Sequence, residues 1–239
     1  MPLAPRRPTV RDLVAPMLVV ALGLALGGPL PADADPGRGL ALPRIDLDVP
    51  LALQSGEQAN CGPTAAAMLL AAYRGLEGPS LDALRDEVGA WSWERFPMRS
   101  WHLPGRSGGM TTASMVGAIL DHFGAPERFS PLAHEGGRSG ALFALTGAVS
   151  TRRPVLALVE APILWGTHKP GLHWIVVRGF EGDRVVFNDP ADGKRWKIRV
   201  ESFLSAWHLS AVYRAIPGIQ GYTAFVADRE MPWGLVASL

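Results

Sequence analysis

The stretch from Gln54 to Leu70, QSGEQANCGPTAAAMLL, carries the chain's only cysteine, Cys61, where a polar loop turns into a helix. From Pro63 to Tyr73 almost every residue is apolar or alanine. Pro63 suits the first turn of a helix, where its missing N–H is no loss and its φ is already set. Cys61 therefore stands at a helix N-terminus. There, orphan backbone N–H groups and the positive end of the helix dipole favour thiolate, the nucleophilic form of the side chain. Gln54, a few residues upstream, can offer a side-chain N–H to an oxyanion formed beside that sulfur. A helix apolar on nearly every face is buried on nearly every face, so 63–73 reads as the central helix, closed by Gly75 in the left-handed conformation.

Outward from this helix the pattern is orderly. Upstream, Ile45, Leu47 and Val49 alternate with Asp46 and Asp48, as in a short half-buried strand. Downstream, Ser80 caps a second helix that carries Leu81, Leu84 and Val88 and ends at Gly89. A third starts at Thr111 or Thr112, carries Met115, Ile119 and Phe123, and stops at Gly124. A fourth spans about 139–151 with Leu142, Leu145 and Val149 inward. Residues 90–110, with Trp91, Trp93 and Trp101, read as an irregular loop. It is either an Ω-loop pinned by its own tryptophans or one wall of a substrate cleft. After Pro154 the texture changes to strands: 155–159, then 173–180 and 184–188 about the turn signal Glu181-Gly182-Asp183, then the alternation of Trp196, Ile198 and Val200. A short helix over 201–208 and a last strand over 222–227 follow. Helices first and strands afterwards indicate an α+β domain, a helical half packed on an antiparallel sheet.

Of six histidines, His102, His134 and His168 fall in loops and read as surface residues, while His122 ends the third helix, where a cation suits the dipole. His173 differs. It opens the hairpin HWIVVRGF-EGD-RVVFNDP, and its face continues with Ile175 and Val177, so it points into the core and needs partners for its nitrogens. A turn centred on Glu181 places Asp189 opposite His173, where it would accept from Nδ1 and leave Nε2 for Cys61. A two-residue turn at Gly182-Asp183 slips the register and puts Asn188 on that face instead.

A chain of 239 residues that is 48% hydrophobic and 19% charged supports one sizeable core. A formal net charge of +1 makes no general electrostatic case for nucleic acid, and the absence of CxxC and HExxH spacings gives no support to a metal. Arg6, Arg7 and Arg11, the apolar run from Leu13 to Leu30, and the small residues Ala32 and Ala34 have the layout of an export signal. The expected organisation is a signal peptide over 1–34 cleaved near Ala34, a Pro/Gly-rich linker over 35–43 and one domain over 44–239. A retained membrane anchor is the alternative. The expected destination is outside the cytoplasm: secreted, periplasmic or at the cell envelope. In an exported chain a lone cysteine forms no internal disulfide.

With Gln54, Cys61, His173 and Asp189 in hand, the chain resembles the C39-like branch of the papain-like cysteine peptidases. The resemblance rests on PLALQSGEQANCGPTAAAML and LHWIVVRGF…VVFNDP and covers roughly residues 48–207. It implies the papain-like α+β fold, with a helical N-terminal half, a central helix starting at the cysteine and a C-terminal antiparallel sheet. It implies Cys61 as nucleophile, His173 as base and then acid, Asp189 as its orienter and Gln54 as oxyanion donor, with no metal or organic cofactor. The loop from Gln54 to Cys61 is slightly long, which makes Gln58 a second oxyanion candidate. The implied activity is hydrolysis of a peptide or protein substrate through an acyl-enzyme. The same machinery could hand the acyl group to an amine or thiol, as a transpeptidase or acyltransferase, and the same fold could serve as a binding module associated with the cell envelope. The best-known members are fused to transporters and cut leader peptides after Gly-Gly on the cytoplasmic side. This sequence shows no transporter or nucleotide-binding segment and opens on an export signal, so that specificity is not expected of it.

Overall fold

The helix that begins at Cys61 runs to Arg74 (α1), and every residue from Gly62 to Tyr73 is buried. The structure is a computed structural model that describes residues 42–55, 60–96, 100–103, 106–166 and 171–232. All of these fall in the compact unit Pro36–Leu239. The export segment 1–34, linker residues 35–41, Gln58 and His168 lie outside the described residues. Among the described residues no helix is long and apolar enough to cross a membrane.

Helix α1 ends as its composition dictates. Gly75 takes φ 63° and its N–H returns to the Ala71 carbonyl, an αL cap that a side chain would resist. Helices α2 (Gly78–Arg95) and α3 (Ala113–Phe123) pack against it. Thr112 caps α3, its hydroxyl accepting from the Met115 N–H at 3.3 Å.

Two expectations for this half need correction. Helix α2 does not stop at Gly89. Its buried row Leu81, Leu84, Val88 continues to Ser92 at helical spacing, and Gly89 sits inside the helix with nothing near it. One interior glycine costs only about 1 kcal/mol, less than the packing that carries the helix on. Nor are residues 90–110 an irregular loop throughout: they open on the last turns of α2, and β2 (Ser100–Leu103) pairs with β3 (Arg106–Gly109) as a separate two-stranded sheet.

The second half is a seven-stranded sheet in the order β4-β9-β5-β6-β7-β8, with β1 added to β6; all pairings are antiparallel. Its members are β1 (Ile45–Asp46), β4 (Phe129–Pro131), β5 (Val155–Glu160), β6 (Leu172–Glu181), β7 (Arg184–Asp189), β8 (Lys194–Arg199) and β9 (Ala224–Ala227). The longest, β6, is the hub. Residues 172–177 pair with β5 and 179–180 with β1, while β7 pairs from 176 onwards. Strand β8 is largely exposed and rich in Lys and Arg, a composition that discourages further strands from adding to an open edge. The remaining helices are α4 (Gly137–Ser150), α5 (Ala161–Trp165), α6 (Val200–His208) and α7 (Ala211–Arg214). Helix α6 buries Phe203, Leu204 and Trp207 and packs on β5, β7 and β8.

The β6–β7 hairpin decides which polar residue faces His173. Its turn is the two-residue one, Gly182-Asp183, flanked by the pair Glu181↔Arg184, and is not centred on Glu181. Left to itself that register would bring Asn188 to the His173 face. A bulge intervenes: Gly179 pairs with Val186 but Val177 pairs with Phe187, so Arg178 is the extra residue. The bulge moves the pairing by one and sets Asn188 opposite Val176. Side chains alternate along a strand, so Asn188 shares the face of Val176 and Trp174. Asp189 shares that of Ile175 and His173.

Candidate active site

Cys61, His173 and Asp189 come from three elements and meet. Cys61 opens α1, His173 lies near the start of β6 and Asp189 ends β7. His173 is 4% exposed and Asp189 fully buried, while the Cys61 side chain is partly open. The imidazole Nε2 lies 2.7 Å from Asp189 Oδ1, and the ring is close enough to the Cys61 thiol for the two to act on each other through hydrogen bond and charge. This reverses the expected use of the two nitrogens: Nε2 meets the carboxylate and Nδ1 is left for sulfur. Asp189 lies diagonally along the hairpin from His173, and the nitrogen it meets is Nε2, the one farther out on the ring.

Asp189 is fully engaged. Oδ1 also accepts the Ala191 N–H at 2.8 Å, and Oδ2 accepts from Trp165 Nε1 at 2.9 Å. The Trp165 ring rests beside the imidazole with centroids 4.7 Å apart, tilted by 51°. Sequence reasoning missed Trp165. Its short helix α5 is legible locally, since Pro162 falls in its first turn and Gly166 closes it at φ 64°. That this turn lands on the β6–β7 hairpin is a tertiary fact with no local signature.

The electrostatics follow from these contacts. Burial raises the Cys61 thiol, but the hydrogen bond and charge of His173, with the backbone N–H groups of Trp174 and Gly62, outweigh it, and the thiol lies below its ordinary value. Burial likewise lowers His173, yet the Asp189 and Cys61 hydrogen bonds and charges carry it up to about 9. Opposite shifts in two touching groups favour the thiolate–imidazolium pair. Gly62 is required at its position. A Cβ there would lie 2.6 Å from both Cβ and Cγ2 of Thr111, a buried residue whose carbonyl accepts from Trp174 Nε1 at 2.7 Å. A side chain at position 62 would therefore clash with Thr111, to which Trp174, the other backbone donor to the sulfur, is hydrogen-bonded.

Gln54 is held beside this group through its backbone: its N–H donates to the Pro190 carbonyl at 2.8 Å, one residue after Asp189. The preceding segment is secured from β7 and α2. Asn188 Nδ2 donates to the Val49 and Pro50 carbonyls at 2.9 and 3.1 Å, and Arg85 Nη1 donates to the Leu53 carbonyl at 3.2 Å. Asn60 closes the far end by donating to the Ser55 carbonyl at 2.6 Å. The Gln54 Oε1 is buried with no hydrogen-bond partner. Asn188 therefore faces away from the imidazole and clasps the Gln54 loop, while its neighbour Asp189 orients the ring.

Two further histidines have ring partners of their own. His122 stacks on Trp91 at 4.6 Å, and His134 packs edge-on against Tyr222. Among the described residues no group of three or more His, Cys, Asp or Glu is placed to hold a metal ion.

A family model described as the Peptidase C39-like family matches residues 46–213. Among solved structures, that of a candidate C39-like peptidase from Bacillus anthracis is similar with a TM-score of 0.50 at 18% identity; the match covers 80% of this chain and 100% of that one. At that identity the likeness is one of fold. No curated protein matches the chain.

Proposed function

The chain belongs to the Peptidase C39-like family, and on that premise we propose that it is an exported cysteine peptidase working through Cys61, His173 and Asp189. The observation that carries the reading is the unbroken line of contacts from the Cys61 thiol through the imidazole to the Asp189 carboxylate, with the thiol shifted down and the imidazole up.

In this reading the Cys61 thiolate attacks the carbonyl carbon of the scissile bond and the carbonyl electrons move onto oxygen. The Gln54 side-chain amide and a backbone N–H at the start of α1 hold that oxyanion. The tetrahedral adduct collapses by breaking the C–N bond as His173 gives the leaving amine its Nδ1 proton, which leaves a thioester on Cys61. Neutral His173 then takes a proton from water, whose oxygen attacks the thioester carbonyl. Collapse expels the thiolate, releases the carboxylic acid and restores the ion pair. Asp189 fixes the ring through Nε2 throughout, and Trp165 covers their contact.

The test is hydrolysis of a peptide library by the protein and by Cys61→Ala, with acid-quenched samples weighed for a covalent adduct. Folded Cys61→Ala that still hydrolyses would sink the reading. Added amine would divert the acyl group if transfer, and not hydrolysis, were the natural outcome. The export part rests on Arg6, Arg7, Arg11 and the apolar run after them. Intact mass of exported protein that retains Met1 or Pro2 would favour the retained anchor over a cleaved signal, and protein confined to the cytoplasm would remove the export part.

A further inference from the structure

We propose that Arg178 is a positioning residue of the Cys61 site, its guanidinium locking the β6 bulge to the segment that carries Gln54. The inference rests on the reading that Cys61, His173 and Asp189 do the chemistry, and it assigns a role to a residue outside that trio.

Arg178 is fully buried and is the extra residue of the bulge. Its Nε pairs with Asp46 on β1. Its Nη1 donates to the Val49 carbonyl and to Asn188 Oδ1, both at 3.4 Å, and its own carbonyl accepts the Leu47 N–H at 2.9 Å. One side chain thus ties together β1, the segment leading to Gln54 and the residue of β7 next to Asp189.

A buried cation is a poor source of stability. Replacing a whole buried ion pair by apolar groups of similar volume is often neutral, because removing the charges from water costs about as much as their contacts return, whereas removing one partner leaves the other unpaired. What Arg178 supplies is geometry. Its bulge is the feature that puts Asp189, and not Asn188, on the face of His173. With Asn188 it also fixes the height of the Val49–Pro50 segment, from which the chain runs to Gln54. Relaxing the guanidinium should disturb both the orienter and the oxyanion loop although neither touches it.

The test compares wild type with Arg178→Met, which keeps an unbranched chain without donors, and Arg178→Lys, which keeps the charge as a point donor. Alkylation of Cys61 by iodoacetamide is measured at about pH 6 and about pH 9, because reaction at the lower pH reports the ion pair. Values of kcat and KM are measured on a peptide the wild type cleaves. Folded Arg178→Met should lose roughly tenfold or more in kcat with little change in KM, as misplacement by a fraction of an ångström costs in a site of this kind. Its ratio of low-pH to high-pH alkylation should fall, and Arg178→Lys should recover part of both. A purely structural role would lower the melting temperature and leave the alkylation ratio alone. Folded Arg178→Met with wild-type kcat and ratio overturns the proposal. Should that variant not fold, Asp46→Ala releases the same guanidinium from a partly exposed position, and an unchanged ratio there overturns it equally. A wild type that cleaves no peptide counts against the proposed function, whereas the alkylation ratio still decides the role of Arg178.

Discussion

His173 and Asp189 meet at 2.7 Å through Nε2 although the strand register does not place them directly opposite one another. The contact depends on two compensating irregularities: a turn one residue shorter than a Glu181-centred one and a bulge one residue long at Arg178. Either alone would present Asn188 to the imidazole. Together they separate the adjacent residues by role, Asp189 to the ring and Asn188 to the Val49 and Pro50 carbonyls.

That division predicts different lesions from neighbouring substitutions. Asp189→Ala should cut kcat by about a hundredfold or more, the scale of losing effective general acid–base catalysis, and should slow alkylation of Cys61 at neutral pH. Asn188→Ala should lower kcat through the Gln54 loop and leave alkylation near wild type. Stopped-flow alkylation beside steady-state kinetics separates the two, and equal alkylation defects in both variants would contradict the assignment.

Much of this site was legible from residue type and spacing. The buried helix from Cys61, the Gly75 cap and the inward face of His173 all follow from local pattern. The choice between Asp189 and Asn188 was open because a bulge leaves little mark in a single sequence: Arg178 reads as one more residue of an apolar strand. The sequence points to the wrong ring nitrogen for the carboxylate because direct opposition favours Nδ1, whereas the diagonal contact runs through Nε2. The end of α2 was misplaced because Gly89 breaks propensity without breaking the buried row. Trp165 was missed because it reaches the hairpin only through tertiary packing.

The paired shifts fix the pH dependence. The proposed reaction needs thiolate on Cys61 and a proton on His173. Cys61 lies below its ordinary value, so the acid limb should fall well to the acid side of a free thiol's titration. His173 is raised to about 9, so it keeps its proton through neutrality and the rate should decline as pH rises through that value. The sign is that of a raised base: the active form is full below the limb and lost above it. The two limbs belong to the coupled pair. A kcat/KM profile whose alkaline limb stands near the ordinary histidine value would be inconsistent with the contacts described. Asp189→Asn should move that limb down.

Trp165 gives a prediction in which hydrogen bond and cover can be separated. Trp165→Phe keeps a ring beside His173 but removes the donor to Asp189 Oδ2. An unpaired buried acceptor costs about 1–3 kcal/mol, so this variant should lose stability on that scale in urea and several-fold in kcat. Trp165→Ala should lose more kcat than Trp165→Phe, because water then reaches the His173–Asp189 contact and weakens it. Equal kcat values for the two variants would remove the covering role and leave only the hydrogen bond.

Gln54 supplies the prediction that separates binding of the oxyanion from activation of the thiol. Its backbone is fixed to Pro190, so truncating the side chain should leave the loop in place. Gln54→Ala should lower kcat by roughly two to three orders of magnitude with KM little changed, equivalent to about 3–4 kcal/mol lost from the transition state. Alkylation of Cys61 should proceed at the wild-type rate, since attack on iodoacetamide displaces a halide and builds no tetrahedral oxyanion. Gln58→Ala, made in the same loop, should leave kcat within a few-fold. Loss in Gln58→Ala with none in Gln54→Ala would transfer the role to Gln58. Loss of alkylation in Gln54→Ala would mean that the residue supports the thiolate and not the oxyanion.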